Sequence, residues 1–127
     1  MTIKVGDIVE YNGKQQRVMG FVFGDENLLR LSQQDKSAHI HMNNVTLVES
    51  FIKPEIKVGD SVHILKVPDK EQKFYIDANK PIDDGIYEVV DVFGSDRVGM
   101  VVSILIKGER RHYMAQYVKK VQDYDII

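Results

Sequence analysis

The chain has 127 residues, of which 43% are hydrophobic and 28% charged, a composition typical of one folded domain or of two very small ones. The formal charge of −2 and the pI near 6.1 argue against a dedicated nucleic-acid binder, which usually carries a clear basic excess. No run approaches the roughly 18 apolar residues of a membrane-spanning helix, and the opening residues lack a signal-peptide pattern. The absence of cysteine excludes disulfides, thiol nucleophiles and cysteine-bound zinc. We therefore expect a cytoplasmic protein with no membrane contact.

The first predicted element begins with the phrase "KVGDIV" at residues 4–9, which returns as "KVGDSV" at residues 57–62. In each copy the glycine stands third of four residues, where a type II turn requires a positive φ. The aspartate that follows can accept hydrogen bonds from nearby backbone amides. Alternating polarity then predicts a half-buried strand at residues 8–11 and again at residues 61–65.

Each phrase is followed by further short strands separated by turns. In the first copy the predicted strands are residues 18–23, 28–31, 38–42 and 45–48, with a "GDEN" turn at residues 24–27 and an Asn-Asn turn at residues 43–44. In the second copy they are residues 86–93, 99–107, 111–114 and 118–121, with a "GSDR" turn at residues 94–97 and a "KGER" hairpin at residues 107–110. Aligning the two ends pairs Met42 with Met114 and Val48 with Val121 if one residue is inserted. The chain is therefore predicted to be a repeat of about five strands, with one helical turn before the last strand of each copy.

With this pattern the chain resembles a tandem of SH3-like small barrels, of the bacterial kind related to KOW modules. Such barrels begin with a K-x-G-D-x-V phrase and end with a helical turn and a strand. The resemblance implies an all-β fold with a first barrel at residues 1–51 and a second at residues 52–127, packed side by side. The glycine that KOW modules place before the second strand is present as Gly85, but the first copy has Gln16 and Arg17 there. The chain also resembles small phage-encoded proteins, which implies modulation of a host machine or an assembly role.

Two runs, residues 19–23 and 100–106, are apolar at almost every position. A strand of a small barrel normally shows polar residues on its outer face. We therefore expect these outer faces to be covered, most simply because the two barrels pack on each other. The alternative is a strongly bent strand that turns inward on both faces along part of its length.

The copies differ most at residues 66–85, where the second has a long first loop. After its last strand, the second copy also has a short tail. In SH3-like folds this loop usually contacts the ligand, so the resemblance implies a partner-binding site at Phe74 and Tyr75. The alternative is a β-arm in which Phe74 and Ile76 tuck back into the barrel, because "KFYID" alternates in polarity like a strand.

Charge is unevenly distributed along the second copy. Residues 55–96 hold five basic and ten acidic residues, a net charge of −5, whereas residues 97–121 hold six basic and one acidic, a net charge of +5. Lys107, Arg110 and Arg111 gather at the predicted hairpin, and Tyr113 follows just beyond. They predict a patch for phosphate or for an acidic protein surface, with the tyrosine as a stacking face. The alternative is a solvated hairpin that keeps the sheet edge from pairing with other chains.

Residues that could carry catalysis are few. His39 and His41 share one face of a predicted strand at a spacing compatible with metal ligation, but no third ligand lies nearby, so we expect them to face water. Asp83 and Asp84 precede a glycine in a turn, where aspartates are common. We therefore predict no catalytic residue, no metal and no cofactor. The predicted function is macromolecule binding, with a protein partner favoured and RNA or DNA contact through the hairpin of residues 107–111 as the alternative.

Overall fold

The computed structural model describes residues 2–35, 37–74, 77, 80, 82 and 85–121, and these contain ten strands and three short 3₁₀ segments. The first five strands are β1 (Ile8–Tyr11), β2 (Lys14–Val22), β3 (Asp25–Leu31), β4 (Ile40–His41) and β5 (Thr46–Glu49). The last five are β6 (Ser61–Ile64), β7 (Tyr87–Ser95), β8 (Gly99–Ile106), β9 (Glu109–Met114) and β10 (Val118–Lys120). The 3₁₀ segments are Met42–Asn44, Asp69–Phe74 and Ala115–Tyr117. The predictions for Tyr75, Ile76, Asp83, Asp84 and the tail at residues 122–127 fall outside the described residues.

The predicted all-β class is confirmed. The strands form two antiparallel five-stranded sheets, with the orders β4-β3-β2-β1-β5 and β10-β6-β7-β8-β9. If β6 is taken as the counterpart of β1, the second order is the first one read in reverse, so both sheets have the same connectivity. A single 3₁₀ turn precedes the last strand in each. None of the helical segments in the described ranges is long and apolar enough to cross a membrane.

The two repeated phrases fold into the same turn, as predicted. Gly6 has a φ of +97° and Gly59 a φ of +95°, the left-handed values that position i+2 of a type II turn requires. The N–H of the lysine that opens each phrase donates to the closing aspartate, at 2.9 Å for Asp7 and 3.0 Å for Asp60. The local sequence therefore determines this turn in both copies.

The 3₁₀ turns correct the predicted alignment of the two ends. His41 and Met114 are the residues just before these turns, and Val45 and Val118 the residues just after them. Both turns have three residues, so Val48 matches Val121 with no insertion. The predicted pairing of Met42 with Met114 is wrong by one position, because Met114 matches His41.

By their contacts the residues divide into two compact units. The first comprises Met1–Ile52 and Gly94–Gly99, and the second comprises Lys53–Phe93 and Met100–Ile127. Each unit has its own hydrophobic core. The first core consists of Ile3, Val9, Val18, Leu29, Leu31, Ile40 and Val45, and the second of Ile56, Val62, Ile64, Val89, Val102, Ile104, Tyr113 and Val118.

The segment Gly94–Gly99 joins the first unit from far along the chain. The Phe21 N–H donates to the Arg97 carbonyl at 2.9 Å, and the Arg97 guanidinium carbon lies 5.4 Å from the centroid of the Phe23 ring. Gly20 allows this approach, because a Cβ there would lie only 3.3 Å from the Arg97 carbonyl oxygen. The segment therefore extends the hydrogen bonding of β2 beyond its own sheet.

Several residues of the two apolar runs are buried on both faces of their strands, as both alternatives of the sequence analysis require. Val101 and Ser103 alternate with the core residues of β8 and are nevertheless buried, as is Met19 on β2. Towards the end of β8 the burial stops, because Leu105 is 46% exposed. The outer face of β8 is thus buried at one end and open at the hairpin end.

Candidate functional site

The hairpin predicted at residues 107–110 is present between β8 and β9, and its turn has two residues. Ile106 and Glu109 are its closing pair, and Lys107 and Gly108 between them have φ values of 50° and 82°. Two positive φ angles define a type I′ turn, whose twist matches that of the flanking strands. The turn places the exposed Lys107 at the tip of the hairpin.

Strand alternation puts the two arginines of the hairpin on opposite faces. Arg110 is the cross-strand partner of Leu105, and both are exposed. Arg111 is the partner of Ile104, which belongs to the core of the second unit, and its side chain is only 14% exposed. The four basic and aromatic residues that the sequence grouped into one patch therefore do not share a surface.

Arg111 and Tyr113 belong to the inner face. Tyr113 is 2% exposed and is part of the core, so its ring cannot serve as a stacking face at the surface. The neighbouring Tyr113 side chain raises the pKa of Arg111 above its ordinary value, and Arg111 Nε lies 3.8 Å from Glu109 Oε2. Both residues are thus engaged within the second unit.

The open end of the outer face combines apolar and polar groups. Phe93, on β7, is 45% exposed, and its ring meets the His112 ring edge to face with centroids 5.6 Å apart. Ser103 lies buried on this face, with its Oγ 2.6 Å from His112 Nδ1. We call Phe93, Ser103, Leu105, Arg110 and His112 the hairpin face. In the described part of the chain, neither Arg110 nor Lys107 takes part in a salt bridge.

The start of the long loop is helical, which contradicts the strand alternative for "KFYID" at its first two residues, Lys73 and Phe74. Residues Asp69–Phe74 form a 3₁₀ helix, in which the Glu71 N–H donates to the Pro68 carbonyl at 2.9 Å. Asp69 accepts a bond from the Gln72 amide, a local side-chain contact that competes with extended structure. Phe74 ends this helix half-buried, with Lys73 Nζ 5.3 Å from its ring centroid, whereas Tyr75 lies outside the described residues.

Further contacts hold the loop on the second unit. The Tyr117 hydroxyl donates to the Glu71 carboxylate. Farther along, Asp77 Oδ2 accepts the His112 N–H at 2.8 Å, and Lys80 Nζ lies 2.8 Å from both Asp77 Oδ1 and Glu109 Oε1. We call Asp77, Lys80 and Glu109 the loop clamp. It fastens the loop to the outermost strand of the sheet.

The electrostatics of the loop clamp favour its charged form. Burial raises the pKa of Asp77, but hydrogen bonds from Lys80 and from the His112 backbone outweigh it, and the pKa lies below its ordinary value. The hydrogen bond from Lys80 lowers the pKa of Glu109, and the bonds to Asp77 and Glu109 raise that of Lys80. All three groups are therefore ionised near neutral pH.

Of the two histidines His39 and His41, only His41 has a structural role in the described contacts. His41 Nδ1 accepts the Asn43 N–H at 3.1 Å and so caps the first 3₁₀ turn, while His39 is exposed. Within the described residues, no group of three or more histidines and carboxylates could hold a metal ion. No family model, curated protein or solved structure matches the chain. The function is therefore inferred from the geometry of the site.

Sequence reasoning did not select Phe93, Leu105, His112 or Asp77. Alternation counted outward from the two-residue turn finds Leu105 and His112, because it places both on the face of Arg110. Asp77 has no local signal, since its partner His112 lies 35 residues away.

Proposed function

We propose that the chain is a non-catalytic binding protein built of two SH3-like small barrels, and that the hairpin face of the second unit binds another protein. Two sheets of equal connectivity, each with a 3₁₀ turn before its last strand, are what the SH3-like resemblance implies. The lack of cysteine supports a cytoplasmic location.

One observation carries the proposed protein-binding role. Two large apolar side chains, Phe93 and Leu105, stand about half exposed on the same face as Arg110, which is exposed and outside any salt bridge in the described residues. Aromatic residues and arginine are enriched in protein interfaces, where an apolar centre is desolvated and polar groups surround it. The hairpin face therefore suits a partner that offers an apolar contact beside a carboxylate.

Nucleic-acid contact is a second candidate because Lys107 and Arg110 are both exposed at one hairpin. These two cations could each meet a phosphate. Tyr113 is buried, so its ring cannot stack on a base as this alternative requires. Arg111 interacts within the second unit, so it is not available to bind a phosphate. Protein binding is thus the better-supported function.

Affinity capture with two matched variants tests protein binding. Leu105→Glu puts a charge on the hairpin face, whereas Val48→Glu does so at an aliphatic residue of the first unit with the same 46% exposure. We expect Leu105→Glu to lose at least about tenfold of the captured protein, since a buried charge in an interface costs more than 1.4 kcal/mol. Val48→Glu should capture as much as the unmodified chain, before and after nuclease treatment. Equal capture by Leu105→Glu would overturn the proposal.

A salt titration tests the nucleic-acid alternative. If the hairpin contacts phosphates, Arg110→Ala and Lys107→Asn should each lower the log–log salt slope by about one. Asn keeps the positive φ that the turn requires, so Lys107→Asn removes only the charge. Lys14→Ala, at an exposed site of the first unit, is the control and should leave the slope unchanged. The absence of any binding at low salt eliminates this alternative.

A further inference from the structure

β9 is the outermost strand of its sheet, and some of its backbone groups point to the open edge. In a two-residue hairpin the closing pair, Ile106 and Glu109, exchanges both backbone hydrogen bonds, and such pairs recur at every second residue. Arg110 and His112 occupy the alternate positions of β9. Their N–H and C=O groups are therefore directed away from β8, where a further strand could bind them.

Asp77 already binds one of these outward-directed backbone groups, the N–H of His112. Its Oδ2 accepts the His112 N–H at 2.8 Å, which is where the carbonyl oxygen of an added strand would lie. Lys80 holds the other carboxylate oxygen at 2.8 Å and is itself bound to Glu109. In the described residues no hydrogen bond of this kind covers the backbone of Arg110. The edge is thus blocked at one residue and open at the next.

The charges beside this edge decide between possible occupants. Lys107 and Arg110 are exposed, and the one carboxylate on β9, Glu109, is already bound to Lys80. Pairing with β9 of a second copy would bring like charges together, which destabilises cross-strand pairs. A strand that carries carboxylates at alternate positions is complementary to the same edge.

We propose that β9 accepts an extended acidic peptide segment of a partner as an additional strand, and that Asp77 is the displaceable internal occupant of its edge. The inference rests on the proposed protein-binding function and names the part of the partner that is bound. Main-chain hydrogen bonds to Arg110 and His112 provide affinity, and carboxylates facing Lys107 and Arg110 provide selectivity. An incoming carboxylate also replaces Asp77 as the partner of Lys80.

Titration of the full ¹⁵N-labelled chain with the capped peptide "TDVDVT" tests this inference. We expect chemical-shift changes at the amides of Arg110 and His112 and binding in the millimolar range. The variant Asp77→Ala removes the internal competitor, so its affinity for the peptide should be at least about fivefold higher. Should that variant fail to fold, the peptide controls on the unmodified chain decide.

Two control peptides separate strand addition from charge attraction. The same peptide N-methylated at alternate amides keeps its carboxylates but cannot pair as a strand, and "TKVKVT" keeps the backbone but reverses the charge. Neither should bind. Equal binding of the N-methylated peptide overturns the inference, as does an unperturbed Arg110 amide in both the unmodified chain and Asp77→Ala. If the acidic peptide fails while Leu105→Glu still abolishes capture, the protein-binding function stands and only strand addition falls.

Discussion

At the residue scale, the repeated aspartates show how one turn is used in two environments. Asp7 is fully buried and also accepts the Phe51 N–H at 2.7 Å and the Lys4 ammonium at 2.9 Å. Asp60 is partly exposed, and Lys120 Nζ lies 3.4 Å from its Oδ2. A backbone hydrogen bond from Lys57 holds the pKa of Asp60 below its ordinary value. The turn itself is the same, and only its surroundings differ.

The two turn glycines give a matched pair of substitutions. Gly59→Ala meets no atom within 4 Å, so its cost is the left-handed backbone strain alone, about 1–2 kcal/mol. Gly6→Ala adds a Cβ that would lie 2.7 Å from the Phe51 ring, and the forced shift should cost about 1 kcal/mol more. Hydrogen exchange of the slowest amides of each unit measures the two losses separately. Equal losses would show that Phe51 does not pack on Gly6.

A second contrast explains why only the first unit receives the segment Gly94–Gly99 on its second strand. The Gly6 N–H donates to the Val18 carbonyl, and the Gly59 N–H donates to the Val89 carbonyl. Val18 and Val89 are therefore counterparts, and so are Gly20 and Asp91, which lie two residues farther along. Gly20 leaves the N–H of the following residue, Phe21, free to bind the Arg97 carbonyl. Asp91 instead binds the N–H of the residue after it, Val92, with its own Oδ1 at 2.9 Å. This difference of one residue thus changes which group the following amide binds.

Gly20→Asp should therefore transfer that self-capping to the first unit. The new carboxylate would lie against the Arg97 carbonyl, and we expect a loss of about 0.5–1.5 kcal/mol from the displaced hydrogen bond. Faster exchange of the Phe21 amide is the measured result. Asp91→Asn serves as the control at the counterpart position and should leave Phe21 unchanged. Unaltered protection of Phe21 in Gly20→Asp would contradict this account of the segment.

At the scale of elements, the predicted strands and turns are largely confirmed because their signals are local. The turns at Gly6 and Gly59 and the two-residue turn at Lys107 depend on three or four neighbouring residues. The strand alternative for "KFYID" is wrong at Lys73 and Phe74, which end the 3₁₀ helix Asp69–Phe74, because alternation in polarity does not register the local contact between Asp69 and Gln72. The misplaced Arg111 and Tyr113 were predictable, since counting from the turn places them on the inner face. The loop clamp was not, because it joins residues about 30 positions apart.

The loop clamp makes loop docking sensitive to acid. The pKa values of Asp77 and Glu109 are lower in the folded protein, so their contribution is present above the unfolded values and is lost as the pH falls through the folded ones. The pKa of Lys80 is raised, so its contribution is lost only as the pH rises through that raised value. We expect constant docking between about pH 5 and pH 10, and release below about pH 4.

Protection of the His112 amide, corrected for the intrinsic exchange rate, reports this release. It should fall in acid for the unmodified chain. In Asp77→Asn it should depend much less on pH, because the amide oxygen can still accept the bond but does not titrate, and only the Lys80–Glu109 pair remains sensitive to acid. A loss of protection near pH 6–7 would point to a histidine instead of the carboxylates.

At the scale of the whole molecule, two units of equal connectivity carry different surfaces. Each has its own core and its own copy of the glycine-aspartate turn. The second alone carries the long loop, its clamp and the hairpin face with Phe93, Leu105 and Arg110. The two units thus share their connectivity, and the residues in which the second unit differs from the first carry the proposed binding.

The most direct test of that binding is photo-crosslinking from the hairpin face. A benzophenone amino acid in place of Leu105 should, in a cell extract, crosslink to a discrete protein, and nuclease treatment should not change the product. The same amino acid at Val48, equally exposed in the first unit, should give no such product. Crosslinking to nucleic acid from position 105, or the same products from both positions, would contradict a protein-binding hairpin face.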